Sequence, residues 1–377
     1  MTNPQKKPSM NFKVAMKWVL LIFCLSQTSC GHANFLLWLN SPTGRTNHSD
    51  PRFGNVQSKI PNQSGATPTP MPTPGTLRIL ATYPGKGNAN YGCWDGHYFW
   101  ISNFGADTIS RVGQDGTYDT YSLTSTGAAD PLQLAYDGHY IWVACADTLC
   151  SLVKFDPTTN QAVATYTYNR VIPPGPYGGI QGVTWDGSEL WIGLNQGLVI
   201  DVNPTNGAII KESNNYTLGG AGGITVMTTN GVKYLYVSCN LVIVKINTQT
   251  MACQPLITPN SPGNLFRITN DGTYLYAASY STMTGSDGVV KIDPNNGTLL
   301  AAWGNSGTLD LNDICLDRRG WLWVCGDNGT VTAVDSHTGA VMAQFPGAGD
   351  STVVLGANND IWTVNWRTGN TINLIGR

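Results

Sequence analysis

The stretch Gly182-Val183-Thr184-Trp185-Asp186-Gly187-Ser188-Glu189-Leu190-Trp191-Ile192-Gly193-Leu194 decides the fold. Residues 182–185 read as a short strand. Asp186-Gly187 then makes a hairpin, since Gly supplies the positive φ that a tight turn needs. An aromatic, β-branched strand returns over 190–194. A third strand follows over 198–202. The turn Asn203-Pro204-Thr205-Asn206-Gly207 comes next, with Pro presetting φ and Gly closing. A fourth strand covers 208–212, so one unit is a four-stranded meander.

The unit recurs on both sides. Trp94-Asp95-Gly96-His97-Tyr98-Phe99-Trp100-Ile101 and Tyr136-Asp137-Gly138-His139-Tyr140-Ile141-Trp142-Val143 are close copies. Weaker ones stand at Thr229-Asn230-Gly231, Asn270-Asp271-Gly272, Arg318-Arg319-Gly320 and Asn358-Asn359-Asp360. The second turn returns as Asp156-Pro157-Thr158-Thr159-Asn160, Asp293-Pro294-Asn295-Asn296-Gly297 and Asp335-Ser336-His337-Thr338-Gly339. Turn glycines at 96, 138, 187, 231, 272 and 320 are 42, 49, 44, 41 and 48 residues apart. A period in the forties with several strands per unit predicts propeller blades.

Six complete units run from about residue 91 to 346, and 350–377 supplies three strands of a seventh. The missing strand is found at the other end, in Gly75-Thr76-Leu77-Arg78-Ile79-Leu80-Ala81-Thr82-Tyr83. The expected fold is therefore all-β, a seven-bladed β-propeller spanning 76–377. An N-terminal strand completes the last blade and removes free sheet edges. Composition agrees. Only 12% of the 377 residues are charged, against about 25% in an ordinary soluble domain. Gly numbers 43, and the only glutamates are Glu189 and Glu212, which argues against a mainly helical chain.

Residues 1–33 read as a targeting segment: Lys6, Lys7, Lys13 and Lys17 precede the apolar run Val19-Leu20-Leu21-Ile22-Phe23-Cys24-Leu25. Two endings fit. Gly31-His32-Ala33 is a small-residue cleavage site. Leu25-Ser26-Gln27-Thr28-Ser29-Cys30-Gly31 resembles a lipobox that would leave Cys30 as a lipid-bearing N-terminus, with Gln27 where an aliphatic residue is usual. The expectation is an exported chain: a periplasmic or cell-surface lipoprotein, or a secreted protein. Residues 34–75 are a Pro/Thr-rich spacer ending in Thr67-Pro68-Thr69-Pro70-Met71-Pro72-Thr73-Pro74, a composition that favours extended polyproline II. Before residue 76 seven Lys/Arg face one acid, a net of +6; from 76 onward 14 Lys/Arg face 22 Asp/Glu, a net of −8. With no basic stripe on the propeller, nucleic acid is not an expected partner.

These repeats resemble the bacterial β-propeller superfamily that includes streptogramin (virginiamycin B) lyase, the YVTN-type periplasmic propellers and NHL-repeat proteins. Residues 185–207 also look like a repeat of two-component-regulator sensor propellers, and 293–303 are similar to the tryptophan-docking repeat of quinone-dependent dehydrogenases. In such folds ligands are expected on the face built by the loops joining strand D to the next strand A and strand B to strand C. The lyases of this resemblance use a His with Glu residues and a bound magnesium. Here His97 and His139 belong to A–B hairpins and His337 to a C–D turn, all on the opposite face, and neither glutamate lies on the loop face.

Candidate ligand residues on the loop face are Asn103, Asp107, Asp130, Gln181, Asn195, Asn240, Arg267, Asp310, Asp327, Trp366 and Arg367. Such a ring suits a polar ligand or a cation. No calcium-loop spacing and no C-x-x-C motif occurs, so neither a metal nor another cofactor is expected. Cys145 and Cys150 flank one B–C hairpin and are expected to form a disulfide in an oxidising compartment; Cys315 and Cys325, on paired strands, form a second candidate. The leading functional expectation is a monomeric, non-catalytic binding scaffold at the cell envelope, taking an envelope protein or a polar small-molecule or glycan ligand. The alternative is a lyase or hydrolase using carboxylates and a divalent metal at the channel mouth; a sensor role is a third.

Overall fold

The computed structural model describes residues 77–169, 179–195, 197–213, 220–239, 242–256, 264–280, 288–304, 310–367 and 369–377. The expected targeting segment and spacer, the lipidation candidate Cys30 and Asn240 lie outside the described residues. Seven four-stranded antiparallel sheets follow one another along the chain, and no helix longer than a single 3-10 turn occurs among the described residues. The innermost strands A of blades 1 to 7 are Ala89–Trp94, Pro131–Tyr136, Ile180–Trp185, Gly223–Thr229, Asn264–Asn270, Leu311–Leu316 and Thr352–Leu355. Blade 7 takes its outer strand from the other end of the chain: Arg78–Pro84 pairs antiparallel with Thr371–Gly376, closing the ring as the sequence predicts.

The hydrophobic residues collect into seven clusters, one at each junction between neighbouring blades. Trp100, Ile109 and Leu134 fill the junction of blades 1 and 2. Phe99, Ile101, Trp362 and Ile372 fill that of blades 7 and 1, so the seam between the chain ends is packed like the rest. Each sheet thus buries both faces against its neighbours. This explains the near-continuous apolar strand B, such as Leu190–Leu194, all of whose residues are buried. Strand A carries a register break in blades 1, 2, 3, 5 and 6, each a β-bulge that re-aims side chains around the axis.

Candidate functional site

The most recognisable motif proves structural. In the first A–B turn the Asp95 carboxylate accepts the amides of His97 and Tyr98, both at 2.7 Å, and the indole N–H of Trp100 at 2.6 Å. Asp137 does the same for Trp142 at 2.8 Å, Asp186 for Trp191 at 3.0 Å and Asp317 for Trp323 at 2.9 Å. Asp271 uses the hydroxyl of Tyr276 at 2.8 Å. Each carboxylate therefore fixes a turn and satisfies a buried aromatic donor at once. On this face His97 and His139 are exposed turn residues, as the sequence implied.

Around the axis the geometry is set by register. Two residues N-terminal to the strand-A partner of each strand-B aromatic stand Tyr91, Gln133, Gly182, Gly223, Arg267, Asp313 and Thr352. The Arg267 guanidinium crosses from blade 5 to lie 4.2 Å from the Tyr91 ring centroid of blade 1. One of its terminal nitrogens donates to the Gly222 carbonyl. Arg267 is 4% and Tyr91 6% exposed. A Cβ on Gly223 would stand 3.0 Å from the Arg267 Cα and 2.6 Å from Ser238 Oγ, so glycine is what lets blades 4 and 5 approach this closely. Asp313 accepts from Thr352 Oγ1 at 2.5 Å and from the Val353 amide at 3.1 Å. Burial raises the pKa of both Tyr91 and Asp313, and the nearby Arg267 charge opposes that rise. The axis is thus occupied by packed side chains. The sequence nominates Arg267 among its loop-face candidates but not Tyr91 or Asp313, although the same offset from the aromatic locates all three.

The predicted polar residues resolve into two groups. At blades 6, 7 and 1, Asp350 accepts the amides of Trp366 at 2.6 Å and Arg367 at 2.7 Å. Trp366 also donates its indole N–H to Asn88 at 3.2 Å. Arg367 lies 5.4 Å from the Trp366 ring and ion-pairs with Asp327. Asn312 ties the group down, donating to Asp327 at 2.6 Å and to the Asp350 carbonyl at 2.7 Å. The Asp310 carbonyl receives the Asp327 amide at 3.3 Å. The second group sits at blades 1 and 2. Asp107 accepts the Asp130 amide at 2.8 Å, and Asp147 accepts that of Ala129 at 3.2 Å. Burial, followed by the charges of Asp107 and Asp147, raises the Asp130 pKa.

Asn103 is fully buried and donates to Thr108 Oγ1 and Ser110 Oγ, both at 2.9 Å, a loop-bracing role. Gln181 is buried beside the axis, and Asn195 is half-buried in its B–C loop. Among the described residues no group of three His, Cys, Asp or Glu side chains could hold a metal ion.

The expected Cys145–Cys150 bridge is absent from the structure, where both residues are buried. Cys145 packs into the junction of blades 1 and 2, whereas Cys150 packs into that of blades 2 and 3. Their side chains thus lie on opposite sides of the blade 2 sheet. Cys315 and Cys325 share one junction and are not bridged either. Burial raises the pKa of Cys145, Cys315 and Cys325 well above the ordinary thiol value.

No protein-family model and no curated protein matches this chain. Among solved structures it is similar to the WD40 β-propeller domain of Doa1, with a TM-score of 0.65 and 11% identity, over 80% of this chain and 97% of that one. At such identity the likeness is one of fold.

Proposed function

We propose that this protein is an exported, non-catalytic β-propeller that serves as a binding scaffold at the cell envelope, with blades 6, 7 and 1 presenting the contact face. The observation that carries the reading is the Trp366–Arg367 turn. Both of its backbone amides are clasped by one carboxylate, and its half-buried indole is fixed by Asn88. A preorganised Trp beside an Arg loses little conformational entropy on binding, and these are the residue types that anchor interfaces. The occupied axis weighs against a channel-mouth enzyme, because Arg267 and Tyr91 fill the place where converging carboxylates would have to meet a substrate.

The test is capture from the solubilised envelope fraction of the source cell, by full-length wild type and by the Trp366→Ala/Arg367→Ala double variant. Retained proteins and glycans are identified on both. The reading expects a defined retained species that the double variant loses while keeping its circular dichroism and melting temperature. Identical retention by the two proteins would remove this face from consideration.

A further inference from the structure

The outer strand D of every blade is a sheet edge, and an edge is a template for further pairing unless something blunts it. In blades 2, 3, 5, 6 and 7 the register between strands C and D breaks, leaving Val163, Ile210, Leu300, Met342 and Leu80 as bulge residues without a strand-C partner. A bulge bends and twists the edge away from a flat partner. Blade 4 has a strand D of three residues, Cys253–Pro255, ending in proline. Blade 1 has neither device. Its strand D, Tyr118–Ser122, runs in unbroken register against strand C. Its single charge, Asp119, is neutralised by Arg111 at 2.9 Å.

This edge also stands clear of blade 2. In blades 2 and 5 a strand-D aromatic, Tyr166 or Trp303, lies against the glycine of the next blade's C–D turn, Gly207 or Gly339, where a Cβ would collide with the ring. Asn160 holds that place in blade 2. Tyr121 of blade 1 instead packs inward on Trp100 and Phe155, with centroids 5.8 and 5.3 Å away, and a groove of about 650 Å³ remains beside Thr120, Tyr121 and Ser122. The Leu123 amide donates to the Asp107 carbonyl at 2.8 Å, and the Gly113 amide to the Thr117 carbonyl at 2.9 Å. Residues 117, 119, 121 and 123 therefore spend their backbone groups on strand C, and the amides and carbonyls of Tyr118, Thr120 and Ser122 face outward.

We propose that two copies of this chain pair through blade 1, strand D against strand D, antiparallel about Thr120, in place of the monomer expected from the sequence. The edge is self-complementary. Thr120 of one copy meets Thr120 of the other in a hydrogen-bonded pair, Tyr118 meets Ser122, and Asp119 meets Tyr121, so no like charges are opposed. Each ring has one unblunted edge, so the contact is two-fold and closes at two copies.

Sedimentation velocity of the full-length protein over a concentration series tests it. Wild type is expected to associate reversibly to twice the monomer mass at about 100 μM, where weak contacts populate. Thr120→Pro removes the central outward amide from both copies, at a place where an edge tolerates proline. It should weaken association about tenfold. Thr120→Val loses the hydroxyl bond to Ser110 but keeps the amide, and should associate like wild type. Under mild oxidation Thr120→Cys should cross-link into a dimer, since hydrogen-bonded partners in such a pair stand about 5.5 Å apart, within disulfide reach. Val163→Cys, exposed on the bulged edge of blade 2, should behave like wild type. Wild type that stays monomeric at about 100 μM overturns the proposal. So does undiminished association of folded Thr120→Pro; if that variant fails to fold, absence of a Thr120→Cys cross-link overturns it instead. A monomeric wild type whose Thr120→Val variant keeps, and Thr120→Pro variant loses, a species captured from the envelope fraction would give the edge to a partner's strand and overturn the dimer. None of these outcomes touches the Trp366–Arg367 face.

Discussion

Trp142 of blade 2 and Trp362 of blade 7 hold the same place in the repeat, both fully buried in strand B, yet are satisfied in different ways. Trp142 gives its indole proton to Asp137 at 2.8 Å. In blade 7 the residue after strand A is Gly356, and Trp362 Nε1 has no partner. A Cβ at Gly356 would meet that indole at 2.8 Å, so the ring occupies the room a carboxylate would need. Trp362 is walled instead by Phe99, Tyr83 and Trp94, with ring centroids 5.3, 6.0 and 6.3 Å away. Five of the six blades made from one continuous stretch of chain fix this turn with a carboxylate, and blade 4 instead joins Thr229 Oγ1 to the Tyr236 hydroxyl at 3.1 Å. The blade assembled from both chain ends relies on stacking, which depends less on the exact placement of any one atom.

The largest expected effect breaks the blade 2 side of this comparison. Asp137→Ala removes two turn bonds and leaves a buried indole donor unsatisfied, and should lower stability by about 3 kcal/mol. Chemical denaturation of the full-length protein measures it. A loss below about 1 kcal/mol, the ordinary net worth of one hydrogen bond, would mean that packing alone holds the turn.

A second contrast separates blade 3 from its neighbours. Opposite each strand-B aromatic, strand C carries a cation in several blades. Lys154, Lys245 and Lys291 lie 4.0, 4.2 and 4.0 Å from the rings of Tyr140, Tyr234 and Tyr274. Each also donates to a carbonyl of the next blade's C–D turn, Lys154 to Pro204 at 2.7 Å for example. Blade 3 has Asp201 there, fully buried, and the cation comes from strand D: Lys211 sits 3.5 Å from Asp201, 3.0 Å from Glu189 and 3.1 Å from the Thr248 carbonyl of blade 4. Lys211→Met would strand the buried Asp201. The expected loss is about 2 kcal/mol, below that of a fully buried pair because solvent reaches the lysine. If the charge swap matters only as a pair, Asp201→Asn in the Lys211→Met background should recover most of the loss.

The comparison of indoles sharpens with Trp142→Phe and Trp362→Phe. Both lose similar ring volume, but only the first loses a hydrogen bond to a charged acceptor. Trp142→Phe should therefore be more destabilising by about 1.5 kcal/mol. Equal losses in parallel denaturation curves would show that the blade 7 indole finds a partner in solution.

The ring itself was legible because its signals are local. The Asp-Gly and Asp-Pro-x-x-Gly turns announce themselves in a few residues, and the orphan strand at 75–83 follows from counting strands. Arg267 was among the loop-face residues the sequence nominated. What escaped is what depends on register or closure. Tyr91 meets Arg267 only because the ring brings blade 1 round to face blade 5. The Cys145–Cys150 expectation failed on parity. Ala144 pairs with Leu152 and Val143 with Val153, which puts Cys145 opposite Ser151 and turns Cys150 to the other face. Proximity in a hairpin was readable, whereas the face of the sheet needed the pairing. Likewise, the Asp of the repeated motif could be read as a turn residue, but its reach to an aromatic five or six positions on depends on the hairpin's shape.

The smallest expected effect is a pH dependence that sets two aspartates of blade 3 against each other. Burial disfavours the charge of Asp186, but the Trp191 indole, the Lys233 ammonium and the amides of Glu189 and Ser188 outweigh it, holding the pKa at about 2 against an ordinary 3.8. Its folded-state value lies below its unfolded one. Its contribution is therefore complete above the ordinary value and is lost as pH falls from there toward 2. Asp201 behaves oppositely. Burial, then the neighbouring Glu189 charge, raises its pKa above 3.8 despite Lys211. The native state then holds this proton more tightly than the unfolded chain, and stability gains as pH falls from neutrality toward the ordinary value. Melting temperatures from pH 7 to pH 2 should show Asp201→Asn removing part of any gain on mild acidification, and Asp186→Asn flattening the decline below about pH 4. If Asp186→Asn runs parallel to wild type below pH 4, the Trp191 and Lys233 bonds do not hold the carboxylate ionised, and the directional clamp of the continuous blades is weaker than its geometry implies.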